Sequence, residues 1–121
     1  MNRTNAIAEM NLGELQARAL RATSLLKAMS NPVRLMVLCQ LAEGEKSVGD
    51  LETVVEVSQS ALSQHLALLR QRGLVRFRLA GQAIFYSLNG TEAPALLAAL
   101  YQVYCSRGSL VRSRGGRRQA A

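Results

Sequence analysis

Two cysteines and one histidine stand in a chain of 121 residues. Cys39, Cys105 and His65 are therefore the residues from which thiol, metal or proton-transfer chemistry would have to be built. Free thiols support reversible oxidation and soft-metal ligation, and they also serve as inert packing, since unpaired cysteine is among the most buried residue types. Their surroundings differ. Cys39 lies in the run Val33 to Ala42, apolar at nearly every position, where removal from water raises a thiol's pKa; Cys105 lies close to Arg107, whose charge favours the thiolate. A tetrahedral zinc site wants about four N, S or O ligands, more than these three residues supply. The sequence has no Cys-x-x-Cys pair, no nucleophile with a paired base and no glycine-rich phosphate loop. Neither an enzyme, such as a small thiol oxidoreductase, nor a cofactor is expected.

A second set of polar residues has the spacing of a recognition surface. Ser58 suits a helix N-cap, Leu62, Leu66 and Leu69 recur on one face, and Gly73 follows where a left-handed cap is wanted. At about 100° per residue, Gln59, Ser60, Ser63, Gln64, Ala67, Arg70 and Gln71 share the outer side. An ordinary solvated face would carry more Glu and Lys, whereas short amides and hydroxyls hydrogen-bond base edges in the major groove without repelling phosphate. His65 sits at the boundary, placed for a phosphate or a neighbouring carbonyl. After Gly73 the period changes to two. Val75, Phe77 and Leu79 alternate with Arg76 and Arg78, Ala80-Gly81 offers a turn, and Ile84, Tyr86 and Leu88 return. This hairpin has one wet side, basic on its first strand, which suits a wing along a phosphate backbone and also suits protection of an edge strand. The DNA contacts expected are Gln59, Ser60, Ser63 and Gln64 on base edges or nearby phosphates, with His65 and Arg70 beside them. Arg76, Arg78 and Gln82 fall to the backbone or minor groove.

The remaining segments supply the frame. Residues 1 to 11 are read as a frayed start. A helix is predicted from Leu12 to Met29 on the spacing of Leu15, Ala19, Ala22, Leu25, Leu26 and Met29; Asn31-Pro32 begins a second, buried on most sides and closed by Glu43-Gly44-Glu45. Ser47 caps a short third helix with Val48, Leu51, Val54 and Val55 inward, and Glu56-Val57 turns into Ser58, a helix-turn-helix. Thr91 caps a last helix to Cys105, whose Leu96, Leu97, Leu100, Tyr101, Val103 and Tyr104 spread over two adjacent faces. That is more apolar surface than one small domain covers, so a homodimer joined by the first and last helices is expected. The fold class is mainly α with a small β-hairpin: one winged helix-turn-helix domain over 12–105, then a disordered basic tail over 106–121.

The net charge is +7, but five arginines of that tail account for most of it, leaving ten basic and eight acidic residues in 1–105. Glu43, Glu45, Asp50, Glu52 and Glu56 gather before the recognition helix, whereas Arg70, Arg72, Arg76 and Arg78 gather after its middle, a polarity that suits a DNA-facing side. No run approaches the roughly 18 apolar residues of a membrane span, and the N-terminus lacks a secretory signal. A cytoplasmic protein without a membrane partner is expected, its thiols reduced or redox-active.

The Asn31-Pro32-x-Arg34-Leu35 start, the Ser58-Gln-Ser-x-x-Ser-Gln-His65-Leu stretch and the Gly81-Gln82-x-Ile-x-Tyr86 wing resemble the ArsR/SmtB family of winged-helix bacterial repressors, over about residues 18 to 105. The resemblance implies a dimeric transcriptional repressor that a chemical inducer releases from double-stranded operator DNA. Metal-sensing members place thiols in a Cys-Val-Cys-Asp-Leu pattern before the recognition helix, where this chain has Ser47-Val48-Gly49-Asp50-Leu51. Others use Asp and His pairs on the last helix, and Pro94 to Cys105 has none. The placement of Cys39 after Leu38, and of Cys105 in Leu100-Tyr101-x-x-Tyr104-Cys105, is similar to the branch containing BigR, SqrR and HlyU, which respond to persulfides. That similarity implies a redox-sensing pair, Cys39 and Cys105, joined by reactive sulfur through a polysulfide chain or by oxidants through a disulfide, with loss of DNA affinity. From the two thiols' surroundings, Cys105 attacks first and Cys39 resolves. The alternative is a metal-responsive repressor whose atypical site combines Cys39 and Cys105 with a cysteine of the second chain.

Overall fold

The computed structural model describes residues 8–105. Most of the expected frayed start, the basic tail and Arg107 lie outside the described residues. Helix α1 (Leu12–Met29) begins at Asn11, whose side chain accepts from Glu14 N–H at 2.8 Å while the Glu14 carboxylate accepts from Asn11 N–H at 3.4 Å, a reciprocal capping box. Helix α2 (Pro32–Ala42) starts where Asn31 and Pro32 direct it: the Asn31 side chain accepts from the N–H groups of Val33 and Arg34. A short strand, β1 (Lys46–Ser47), leads into α3 (Val48–Val54), where Ser47 and Asp50 cap each other's backbone. Ser58 Oγ accepts from Ala61 N–H at 3.1 Å to start α4 (Gln59–Gln71). Gly73 then takes φ +74°, a backbone region in which any side chain would be strained. Strands β2 (Val75–Ala80) and β3 (Ala83–Leu88) form the wing, and α5 (Glu92–Tyr104) ends the described chain.

One core holds these elements together. Val37, Leu38 and Leu41 of α2 pack with Leu51 of α3, Leu62, Leu66 and Leu69 of α4, and Ala93 and Leu97 of α5. Leu74 and Val75 close it at the root of the wing. Helix α1 enters near its C-terminal end, through buried Ala28 and Met29 with Leu25 packed beside them.

Four features depart from the sequence reading, each for a local reason. The run over α2 is apolar all round, yet the subunit covers one side only: Pro32, Met36 and Cys39 form an exposed stripe. The two-residue β1 has no period to read; its partner β3 specifies it through Lys46↔Tyr86 and Ser47↔Phe85, making a three-stranded antiparallel sheet in the order β1-β3-β2. The apolar row of the hairpin is not a continuous dry side. Exposure climbs from 2% at Val75 to 41% at Phe77 and 67% at Leu79, because the wing projects beyond the core. At α5 Thr91 makes no side-chain cap bond; Glu92 in the first turn meets the positive helix end instead.

Candidate nucleic-acid interface and thiol pair

Burial of Leu62, Leu66 and Leu69 fixes the rotation of α4 and leaves Gln59, Ser60, Ser63 and Gln64 exposed. None of those four side chains bonds to another described residue. Between α3, α4 and the wing runs a groove of about 600 Å³, lined among others by Gln59, Ser63, Arg70 and Gln82, with Glu52 at its acidic side. It brings four of the expected DNA-contacting residues onto one concave surface. The Arg70 guanidinium lies 5.1 Å over the Phe77 ring, so the sheet face bearing Phe77 is the one turned toward α4.

Arg76 and Arg78 occupy the other face, since successive strand residues point to opposite sides. Arg76 pairs with Ser87 in register and donates to its Oγ at 3.3 Å. Arg78 donates to both carboxylate oxygens of Glu45, at 2.7 and 2.8 Å, and stacks 4.9 Å over Phe85. The Arg78 hydrogen bond, aided by the charges of Arg78 and Arg76 and opposed by desolvation, holds the Glu45 carboxyl below the usual glutamate range. The same bond and charge raise Arg78. The basic side of the wing therefore carries its own acid. Grouping the acids before the recognition helix missed this pair, because only β1 places Glu45 alongside the wing.

His65 is half-buried, and within the protein its partner is a side chain and not a carbonyl. Its Nδ1 meets Nη1 of Arg34 at 3.4 Å. Arg34 also donates to the carbonyls of Ala28 at 2.6 Å and Lys27 at 3.2 Å, at the end of α1. In the sequence Arg34 stood out only as part of the Asn31-Pro32 helix start.

Cys39 lies on the exposed stripe of α2, and Cys105 is the C-cap of α5, its N–H donating to Tyr101 O at 2.7 Å. Both are free and exposed. Burial among its helix neighbours still pushes the Cys39 thiol up, and the charge of Cys105 and then that of Glu43 push it further. The direction is the one expected from sequence, and the helices that carry the two thiols, α2 and α5, pack against each other. Among the described residues no three His, Cys, Asp or Glu side chains cluster as metal ligands, and no helix is long and apolar enough to cross a membrane.

The family model for bacterial regulatory proteins of the arsR family matches residues 31–76, from the Asn31 cap through α4 into β2. Across 98 residues, 81% of this chain and 91% of the relative, identity to the transcriptional activator HlyU of Vibrio cholerae is 50%. The chain belongs to the arsR family. A second arsR-type relative, the biofilm growth-associated repressor of Xylella fastidiosa, is 42% identical over 105 residues, 87% of this chain and 92% of its own. The solved structure of reduced HlyU from Vibrio cholerae matches with a TM-score of 0.75 at 49% identity, over 78% of this chain and 99% of that one. That of the repressor BigR from Xylella fastidiosa gives 0.73 at 43%, over 81% and 100%. This arsR-family chain is accordingly a winged-helix, DNA-binding transcriptional regulator and not an enzyme.

Proposed function

We propose that the protein is a repressor that holds operator DNA as a homodimer and releases it when reactive sulfur or an oxidant links Cys39 to Cys105. Gln59, Ser60, Ser63 and Gln64 read base edges or flanking phosphates, with His65 and Arg70 at the margin. Arg76 and Gln82 meet the backbone or minor groove, while Arg78, occupied by Glu45, contributes least. The dimer is supported by apolar side chains left in water on α1 and α5: Leu20 at 73%, Leu26 at 52%, Tyr101 at 58% and Tyr104 at 71% exposure. A groove of about 570 Å³ between the two helices, lined by Ala22, Leu25, Leu26, Ala95, Leu96 and Ala99 with Glu92 as its one charged residue, is mostly apolar and suits a second copy.

The observation that carries the trigger is two free, exposed thiols placed on helices that pack against each other, Cys39 on α2 and Cys105 at the end of α5. A Cys105 thiolate attacks the outer sulfur of a persulfide RSSH, giving Cys105–S–SH and RS⁻. The Cys39 thiolate then attacks the inner sulfur and expels HS⁻, leaving a disulfide; if Cys39 has first taken up a sulfur by the same reaction, a trisulfide forms with the same leaving group. Linking α2 to α5 fixes their separation and displaces the paired α4 helices from the roughly 34–36 Å repeat of successive major grooves.

Gel shifts test this, on a duplex selected from a random pool by the reduced protein. Persulfide-treated protein should release the duplex, dithiothreitol should restore it, and the Cys39→Ser and Cys105→Ser variants should stay bound throughout. Unchanged binding after treatment, or release of the doubly substituted protein, overturns the reading.

A further inference from the structure

Arg34 touches three helices at once. It stands in the first turn of α2, its Nε and Nη2 hold the last carbonyls of α1, Ala28 O and Lys27 O, and its Nη1 reaches His65 on α4. We propose that Arg34 is a positioning residue for DNA recognition: it fixes the tautomer and orientation of His65 and ties the middle of α4 to the end of α1. The inference rests on α4 being the helix that meets DNA.

The chemistry follows from which atoms carry protons. A guanidinium has five N–H donors and no acceptor. With Arg34 as the donor, Nδ1 of His65 is the accepting nitrogen and Nε2 the one that bears hydrogen. Nε2 has no partner among the described residues, and the ring is half-exposed. Arg34 thus makes the free edge of His65 a donor only. Such an edge selects an acceptor in DNA, a phosphate oxygen or a base acceptor such as guanine N7 or O6, adenine N7 or thymine O4, and rejects the exocyclic amino donors of adenine and cytosine. The other two guanidinium bonds anchor this arrangement to α1. A lysine in its place would keep the charge but not the planar fork that serves both sites.

A double-mutant cycle separates positioning from ordinary capping. Affinity is measured for a duplex selected by the wild-type protein and for a scrambled duplex, far below the melting temperature of every variant. Arg34→Met and Arg34→Lys should each weaken binding to the selected duplex by about tenfold, the loss expected of one charged hydrogen bond. In a His65→Ala background the same changes should cost nothing further. Equal loss on both duplexes assigns the acceptor to phosphate, and a larger loss on the selected one assigns it to a base. A role confined to capping α1 would lower thermal stability and leave affinity alone, or give additive losses, and either result overturns the proposal. Because His65 is the chain's sole histidine, imidazole ¹⁵N spectra of the wild-type protein at neutral pH give an independent answer. A single ring with hydrogen on Nε2 is expected, and hydrogen on Nδ1 overturns the proposal even if no Arg34 variant folds. If no duplex is enriched at all, the DNA reading of α4 fails instead.

Discussion

Arg78 and Glu45 show how one contact redistributes the work of a charged strand. Both groups lie in water, so their bond is a device for placing charge and not a source of stability. While it persists, phosphate must compete with Glu45 for the Arg78 guanidinium. Glu45→Gln should therefore strengthen binding to any duplex and steepen its salt dependence by about one phosphate contact; an unchanged slope would show that Arg78 does not face DNA. The pH effect has a definite sign. The folded-state pKa of Glu45 is depressed, so the pair is intact above the ordinary glutamate range and is lost as pH falls through the lowered value. Carboxyl NMR titration should place Glu45 below the ordinary glutamate range, and Arg78→Gln should raise it. The thiols invite a similar comparison. Burial and neighbouring negative charge keep Cys39 protonated to higher pH, so at early times Cys39→Ser, which retains Cys105, should be labelled faster by a persulfide donor than Cys105→Ser. The opposite order would reverse attacker and resolver.

Elements differ in how openly the chain announces them. Asn31-Pro32 marks the start of α2 because a side-chain acceptor and a missing N–H solve the same problem of unpaired donors in a first turn. Ser58 and Gly73 bracket α4 on the same grounds, and the spacing of Leu62, Leu66 and Leu69 fixes which residues face outward. Where burial depends on a distant segment, the sequence is silent. The β1 pairing, the water around Leu79 and the open stripe beside Cys39 follow from how far neighbouring elements reach, not from their own residues. The Glu45–Arg78 and Arg34–His65 contacts were hidden for that reason, spanning 33 and 31 positions. The cap at Ser58 offers a clean test at this scale. Ser58→Ala should cost about 1 kcal/mol, seen as a lower urea midpoint with an unchanged slope. A change in slope would mean that α4 does not unfold with the rest of the domain.

At the scale of the whole molecule, the exposure of Leu12, Leu20, Leu26, Tyr101 and Tyr104 suits the proposed dimer. Leu20→Glu should leave the helical signal intact, convert the dimer to monomer in sedimentation, and abolish tight operator binding, since a single recognition helix loses the gain from two half-sites. A dimer that survives this change would move the interface elsewhere. Release by the thiols requires only that the linked and unlinked dimers differ by about 1 to 3 kcal/mol in operator affinity, a usual allosteric coupling. The most direct test of that trigger is intact mass after persulfide treatment, read before and after alkylation of free thiols. A single-chain species that carries a sulfur bridge and takes up no alkyl group is expected, absent in both Cys39→Ser and Cys105→Ser. Two thiols still open to alkylation, or a bridge found only between chains, would contradict it.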